Sequence, residues 1–407
     1  MKTNFDEIID RRGTNALNTD GFRGYIFHAG PEKVFPFKDE EFVRMWVADM
    51  EFATPPAICQ AIKDRVDRRI FGYTMMYDSD YYKALNGWCE SRYGWSFPEE
   101  ELCFSPGIIP ALYQLVEDLV APGEKALTMT PAYGYFLHAC EYNDRELVHN
   151  PLLWKNGHFT IDYADLEAKA ADPKVKLLIL CNPHNPTGRI WTAEELQKVA
   201  AIVEKYELWV VSDEIHCDLI RSGLRHTPMG KVMPEYRKLV TCMSASKTFN
   251  MAGLGFSDII IRDPAERQRF RDRDKIAGML NPLSIAAHKA AYEHCGPWLE
   301  ELKEYLDGNF RFLADFLAEY LPQAEFSIPE ATYLGWVNMG PCLPDVEDLP
   351  DFFANEAGVL LEGGDSLFVG NAKGWIRLNL AMPRSIIATG LERMRDAISK
   401  HNGEKKA

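Results

Sequence analysis

Between residues 102 and 261 the chain alternates short, continuously apolar runs with longer segments of helical spacing. The runs cover 102–107, 126–129, 146–148, 175–180, 208–214, 239–243 and 257–261. The segments at 108–120, 134–142, 163–171 and 192–206 repeat apolar residues at helical intervals, and the last opens with a Thr192/Glu195 capping box. A strand with one wet face alternates apolar and polar residues, whereas one apolar throughout is covered on both faces. The pattern therefore predicts an α/β fold built on a mostly parallel, seven-stranded sheet sandwiched by helices. In such sheets ligands sit beyond the carboxyl ends of the strands. Asn185, Asp213 and Lys247 all fall at or just past the ends of consecutive runs.

Lys247 lies in Ser244-Ala245-Ser246-Lys247-Thr248-Phe249-Asn250, before the glycines Gly253 and Gly255. An ammonium is costly to bury, so a lysine at a strand end can be held as a neutral amine able to attack a carbonyl. Upstream, a strand-like run ends at Ser105-Pro106-Gly107 before the helical segment that starts at Ile108. Strand, glycine and helix start make either an ordinary turn or an anion site formed by unused N–H groups.

The 407 residues suffice for two domains. Residues 1–45 are polar and Gly/Pro-punctuated, and read as an arm with loops that adds to the smaller domain. Residues 46–284 form the expected large domain, with a helix over 55–68 and another over 79–94. Residues 285–407 form a smaller α+β domain, with helices at 285–295, 299–321 and 385–400, strands at 333–337, 359–361 and 375–380, and a polar tail from His401. A net charge of −15 opposes general binding to nucleic acid or anionic membrane. Nine scattered cysteines, none in a C-x-x-C pair, favour a reduced, cytoplasmic setting. No signal-peptide core and no apolar run of membrane-spanning length is present. His184 and His216 lack a third ligand at suitable spacing, so they read as loop histidines and no metal is expected.

A lysine amine, a carboxylate, an asparagine, a helix start and a distant arginine make up a kit suited to pyridoxal phosphate, which needs an amine for its aldehyde, an acid for its ring nitrogen and an anion site for its phosphate. Asn182-Pro183-His184-Asn185-Pro186-Thr187-Gly188, Ser212-Asp213-Glu214-Ile215-His216 and Ser244-Ala245-Ser246-Lys247-Thr248 occur in that order. With these motifs the chain resembles the pyridoxal-phosphate enzymes of fold type I, the class I/II aminotransferase superfamily. Trp46-Val47-Ala48-Asp49-Met50-Glu51-Phe52, Phe71-Gly72-Tyr73, Asp213-Glu214-Ile215-His216-Cys217-Asp218-Leu219 and Ala331-Thr332-Tyr333-Leu334-Gly335-Trp336 resemble the MalY/PatB group of cystathionine β-lyases within it.

The resemblance implies an aspartate-aminotransferase-like fold and a role for each site residue. Lys247 holds the cofactor aldehyde and later transfers the proton. Asp213 pairs with the ring nitrogen, Asn185 with the ring hydroxyl oxygen, and Tyr133 stacks on the ring. Gly107, Ile108 and Ile109 bind the phosphate through their backbone, together with the Ser244 hydroxyl and Tyr73 from the second subunit of a homodimer. Arg377 takes the α-carboxylate of an amino-acid substrate, with Ala48 also at the substrate. One departure stands out: Gly253-Leu254-Gly255-Phe256 lacks the phosphate-binding arginine that many class I/II enzymes carry there. The implied reaction is β-elimination of a thiol. The alternatives are transamination with the same residues, or a regulatory, partner-binding protein on the same scaffold.

Overall fold

The computed structural model describes residues 2–155, 157–277 and 280–404. Its seven-stranded sheet comprises, in chain order, β1 (Leu102–Ser105), β2 (Lys125–Thr130), β3 (Glu146–Pro151), β4 (Val175–Cys181), β5 (Trp209–Asp213), β6 (Leu239–Met243) and β7 (Ser257–Ile261). The spatial order is β1-β7-β6-β5-β4-β2-β3. Only β7 runs against its neighbours; the β6/β5, β5/β4, β4/β2 and β2/β3 pairs are parallel. Strands β1, β6 and β7 are buried at every position, as their mostly apolar sequences require, and the one charged residue among them, Asp258, accepts from the Tyr81 and Tyr292 hydroxyls at 2.7 and 2.9 Å.

Both faces are covered. The helix Ile108–Leu119 packs Leu112, Leu115 and Val116 onto Val211, Val240 and Ile259. The helix Ala193–Lys205 covers the other side with Leu196, Val199 and Val203, and its capping box forms with Thr192 Oγ1 accepting from Glu195 N at 3.1 Å. Burying each such aliphatic side chain favours the fold by about 1.5–3 kcal/mol.

Three segments differ from their sequence reading. A helix, Pro264–Ala277, follows β7, although its residues are mostly charged and show no apolar stripe. Its start is set chemically instead: Asp263 Oδ1 accepts from Ala265 N and Glu266 N at 2.9 and 3.0 Å. The arm is not simply irregular. Helices Leu17–Asp20 and Phe22–Phe27 form there, and Phe22, Ile26, Phe42 and Trp46 bury themselves with Ala354 and Leu360. These aromatic residues are spaced without a period, so only the folded chain collects them. At the other end, residues 401–404 of the polar tail continue the helix Arg384–Glu404, and 405–407 lie outside the described residues.

A second sheet of three antiparallel strands holds β8 (Leu334–Asn338), β9 (Glu362–Gly363) and β10 (Trp375–Asn379) in the order β8-β10-β9. The packing does not divide at residue 284. Helix Pro282–His294 and the first half of Gly296–Tyr320 share a core with Tyr81, Trp88 and Phe256. The second half of Gly296–Tyr320, through Phe310, Leu313 and Leu317, packs with Val337, Ile376 and Leu378 of the smaller sheet. One continuous helix thus ties the two cores together. Among the described residues no helix is long and apolar enough to cross a membrane, and none of the nine cysteines forms a disulfide.

Candidate active site

The ends of β4, β5 and β6 lie level, because Cys181, Asp213 and Cys242 are register partners across the three strands. Beyond that edge each strand delivers a functional side chain. β5 ends on Asp213 itself. β4 runs into the Asn182–Gly188 loop, whose 182–183 and 185–186 peptide bonds are cis. The loop closes at Gly188, where φ is +68° and a Cβ would lie 2.3 Å from Pro329 Cβ and 2.9 Å from the Ala331 carbonyl oxygen. No other residue fits there. β6 runs into the short helix Ala245–Thr248, which carries Lys247.

A cavity of ≈ 290 Å³ opens at this edge, and Lys247, Asp213, Asn185, Tyr133, Arg377, Ala48, Gly107, Ile108 and Ile109 all line it. The structure therefore brings together residues that the sequence spreads over more than half its length. Lys247 Nζ donates to the Ala48 carbonyl oxygen at 2.6 Å. Burial lowers its pKa, Asp49 opposes the shift and Arg377 adds to it, so the amine is easier to deprotonate than an ordinary lysine. Burial pushes the Asp213 carboxyl up to about 6, although Ile215 N donates to its Oδ1 at 3.2 Å. A carboxylate held at that cost gains most from a cation placed against it. Asn185 Oδ1 accepts from Arg377 Nη1 at 3.3 Å, which leaves its amide nitrogen to donate.

The donor set fits pyridoxal phosphate. In that fit Lys247 would supply the amine, Asp213 the partner for a protonated ring nitrogen, and Tyr133 an aromatic wall. The helix Ile108–Leu119 would offer its amino end to the phosphate. Its bonding begins with Ala111 N to Gly107 O at 3.2 Å, leaving the preceding N–H groups unused, and its first turn holds no acid that would repel an anion. Of the described residues on the cavity wall, Lys247 and Arg377 alone carry cationic side chains, in keeping with the missing phosphate arginine.

Two expected residues lie off this cavity, Ser244 against expectation and Tyr73 as its expected place across a dimer interface requires. Ser244 does not reach the cavity wall. Its hydroxyl donates to Phe256 O at 2.8 Å and accepts from Ser246 N at 3.1 Å, capping the helix that bears Lys247. Ser246 lines the cavity instead. Spacing alone cannot decide which of two serines in one short turn caps it. Tyr73 is 97% exposed and lies outside this chain's cavity.

Tyr25 and Glu362 on the cavity wall escape the sequence reading, and His216 enters it only as a loop histidine. Tyr25, on the arm helix Phe22–Phe27, lines the cavity together with Tyr133. His216 lines it as well; burial, with Lys247 and Arg377 nearby, lowers its pKa to about 3, so it stays neutral. Glu362 is buried against Arg377. Nothing in the arm's sequence marks Tyr25. Glu362 carried a usable signal: like Asp213, it follows directly on an apolar run, Val359-Leu360-Leu361.

The model of the family described as aminotransferase class I and II matches residues 41–394. The chain belongs to this family. Among class I/II relatives, the chain is 39% identical to cystathionine beta-lyase PatB of Bacillus subtilis, over 97% of this chain and 100% of the relative. Protein MalY of Escherichia coli is 30% identical over 97% and 98% of the two chains. Among solved structures, the pyridoxal-phosphate-bound C-S lyase of Staphylococcus hominis superposes with a TM-score of 0.92 at 44% identity, covering 98% of each chain. The aspartate-aminotransferase-like α/β fold expected from the motifs is thus the fold of the chain.

Proposed function

We propose that the protein is a pyridoxal-phosphate-dependent carbon–sulfur β-lyase, acting on L-cystathionine, L-cysteine or related S-conjugates and releasing thiol, pyruvate and ammonia. The observation that carries the reading is the convergence of Lys247, Asp213, Asn185 and Arg377 on one cavity, in a chain whose relatives include a cystathionine β-lyase and a C-S lyase. Bound pyridoxal phosphate supplies an aldehyde carbon for the substrate amine and a ring that draws electrons from Cα.

Each step then falls to a side chain of this protein. Arg377 binds the α-carboxylate through its planar fork. Asp213 keeps a proton on the ring nitrogen. Lys247, once free of the Ala48 carbonyl, takes the proton from Cα. The Cβ–S bond breaks, its electron pair leaves with sulfur, which takes up a proton as the thiol, and one water hydrolyses the remaining three-carbon unit, giving pyruvate its keto oxygen and releasing the amino group as ammonia. Tyr133 and the Asn185 amide hold the ring in place, and the helix start at Gly107, Ile108 and Ile109 takes the phosphate with the Ser246 hydroxyl. In this reading residues 46–284 hold the cofactor, and the arm and residues 285–407 complete its cavity through Tyr25, Glu362 and Arg377.

The functional unit in this reading is a homodimer in which each chain lends Tyr73 to its partner's phosphate site. Val66, Ile70, Phe71, Tyr73 and Met75 are exposed together, an apolar stretch of the kind that marks an interface. Sedimentation equilibrium is expected to give twice the mass of one chain; a monomer at all concentrations would remove Tyr73 from the site.

The activity is tested by incubating purified protein and pyridoxal phosphate with L-cystathionine, assaying pyruvate and thiol in one vessel. Equal amounts of both are expected. A keto acid other than pyruvate, with no thiol, would assign the chain to transamination instead.

A further inference from the structure

Arg377 does not wait in the cavity with its charge free. Glu362 stands directly opposite it in the register of β9 and β10, and its carboxylate pairs with Nη2. Trp46 O accepts from Nη2 and Asn185 Oδ1 from Nη1, each at 3.3 Å. Nε is left without a partner. Glu362 is 2% exposed and lines the same cavity, and its Oε1 has no hydrogen-bond donor. An anion buried with one oxygen unsatisfied is poorly stabilised even beside a guanidinium.

The groups that face Glu362 come from four elements: Arg377 on β10, Lys247 on the helix after β6, Tyr133 before the helix Gly134–Tyr142, and Tyr25 on the arm. Burial pushes the Glu362 carboxyl up to about 7, against the opposing pull of Arg377 and Lys247. Burial and the Glu362 charge push both phenols upward, so neither tyrosine ionises in the neutral range.

We propose that Glu362 is the resident counter-ion of Arg377, that the α-carboxylate of the incoming amino acid takes its place, and that Glu362 takes up one proton from solvent as it does so. The inference rests on the reading of Arg377 as the carboxylate-binding residue. Two carboxylates cannot share one guanidinium in a closed cavity with both ionised, because like charges at contact disfavour each other. A proton on Glu362 removes the repulsion and turns the side chain into a hydrogen-bond donor. The guanidinium therefore faces one anion before binding and one after. An amine or amide substrate brings no carboxylate and cannot make the exchange, so Glu362 is a positioning residue that selects for a free α-carboxylate.

The direction with pH follows. Below about pH 7 Glu362 already carries the proton, and carboxylate affinity is flat. Above it, each binding event must bring a proton, and affinity falls by up to roughly tenfold per pH unit. Glu362→Gln removes the titrating group, and with it the slope.

The test is calorimetric titration of the holoenzyme with propionate at pH 8, in two buffers of different ionisation enthalpy. Propionate carries the carboxylate but no amino group to react. Wild type is expected to take up close to one proton per propionate. Glu362→Gln is expected to take up none and to bind roughly tenfold tighter than wild type at this pH. Glu362→Asp keeps a titrating carboxyl and is expected to retain the uptake, which a purely structural role would not produce. Equal uptake by wild type and Glu362→Gln, or none by wild type, overturns the exchange. Arg377→Lys tests the premise separately. Propionate binding lost in that variant, with no proton uptake by wild type, leaves Arg377 as the carboxylate site and rejects Glu362 alone; unchanged binding rejects both. Thermal unfolding of each variant shows that the titrated protein is folded.

Discussion

Replacing Lys247 with alanine is expected to lower thiol release from L-cystathionine by at least about 10³-fold, the scale of removing a positioned group that both bonds covalently and moves a proton. The physical case is local. Nζ lies 2.6 Å from the Ala48 carbonyl oxygen on the wall of a cavity that also presents Asp213 and Arg377. Burial favours its neutral form, the form that attacks a carbonyl and accepts a proton. The planar, delocalised guanidinium of Arg377 is a poor nucleophile toward a carbonyl, and His216, the neutral imidazole on the same wall, cannot form the bond to an aldehyde that an amine forms. Alanine leaves that position without an amine. Two readouts check it. Pyruvate and thiol production should fall together, and borohydride treatment should fix pyridoxal phosphate to the wild-type chain but not to the variant, as read by mass spectrometry. Full activity in Lys247→Ala would falsify the assignment.

Asp213→Asn is expected to lower kcat by roughly 10²–10³-fold with a smaller change in KM, since it removes charge stabilisation that matters most as the reaction proceeds. The substitution is close to isosteric and keeps an acceptor for Ile215 N, which donates to Asp213 Oδ1 at 3.2 Å. What it loses is the negative charge. Asp213 is 8% exposed at the end of a buried strand, where an ionised carboxylate is held up at about 6 by burial. A protonated ring nitrogen against it would restore the charge and be held protonated in return. Asparagine cannot do this, so the ring draws electrons from Cα less strongly. Steady-state rates at saturating substrate, with cofactor content measured on the same samples, separate slowed chemistry from lost cofactor. An unchanged kcat in the fully loaded variant would remove Asp213 from this role.

Much of the framework was legible before the fold was known, and for a definite reason. Strands such as β6 and β7 are buried along their whole length, so each must be written mostly in apolar residues, and the strands at 239–243 and 257–261 fall where the sequence reading puts them, the buried Asp258 of β7 being satisfied by the Tyr81 and Tyr292 hydroxyls. The helix Ala193–Lys205 announces its start because Thr192 and Glu195 must satisfy N–H groups that the helix cannot. The helix Pro264–Ala277 shows the limit of periodicity. Its charged residues form no apolar stripe, and only Asp263 and Pro264 mark its beginning.

Within the site, the residues attached to strand ends were readable because a parallel sheet brings all such ends to one edge. Lys247, Asp213 and Asn185 follow from that rule, and Gly107 follows from the end of β1. Ser244 and Ser246 were not separable, since the choice depends on which hydroxyl satisfies the helix that carries Lys247. Arg377 was reached by resemblance, and its pairing with Glu362 was not reached at all.

The sequence by itself determined the α/β sheet, the edge at which chemistry would occur, and the identity of the groups offered there, because burial and hydrogen-bond satisfaction are local demands that each segment must meet. Tertiary structure alone decided which distant segments complete the cavity. Tyr25 arrives from the arm because an aperiodic set of aromatic residues condenses on Ala354 and Leu360. Glu362 meets Arg377 because β9 pairs with β10 in one register, and a shift of one residue would turn Glu362 to the opposite face. These are contacts between parts of the chain that carry no mark of each other, and only their packing brings them to the same few ångströms.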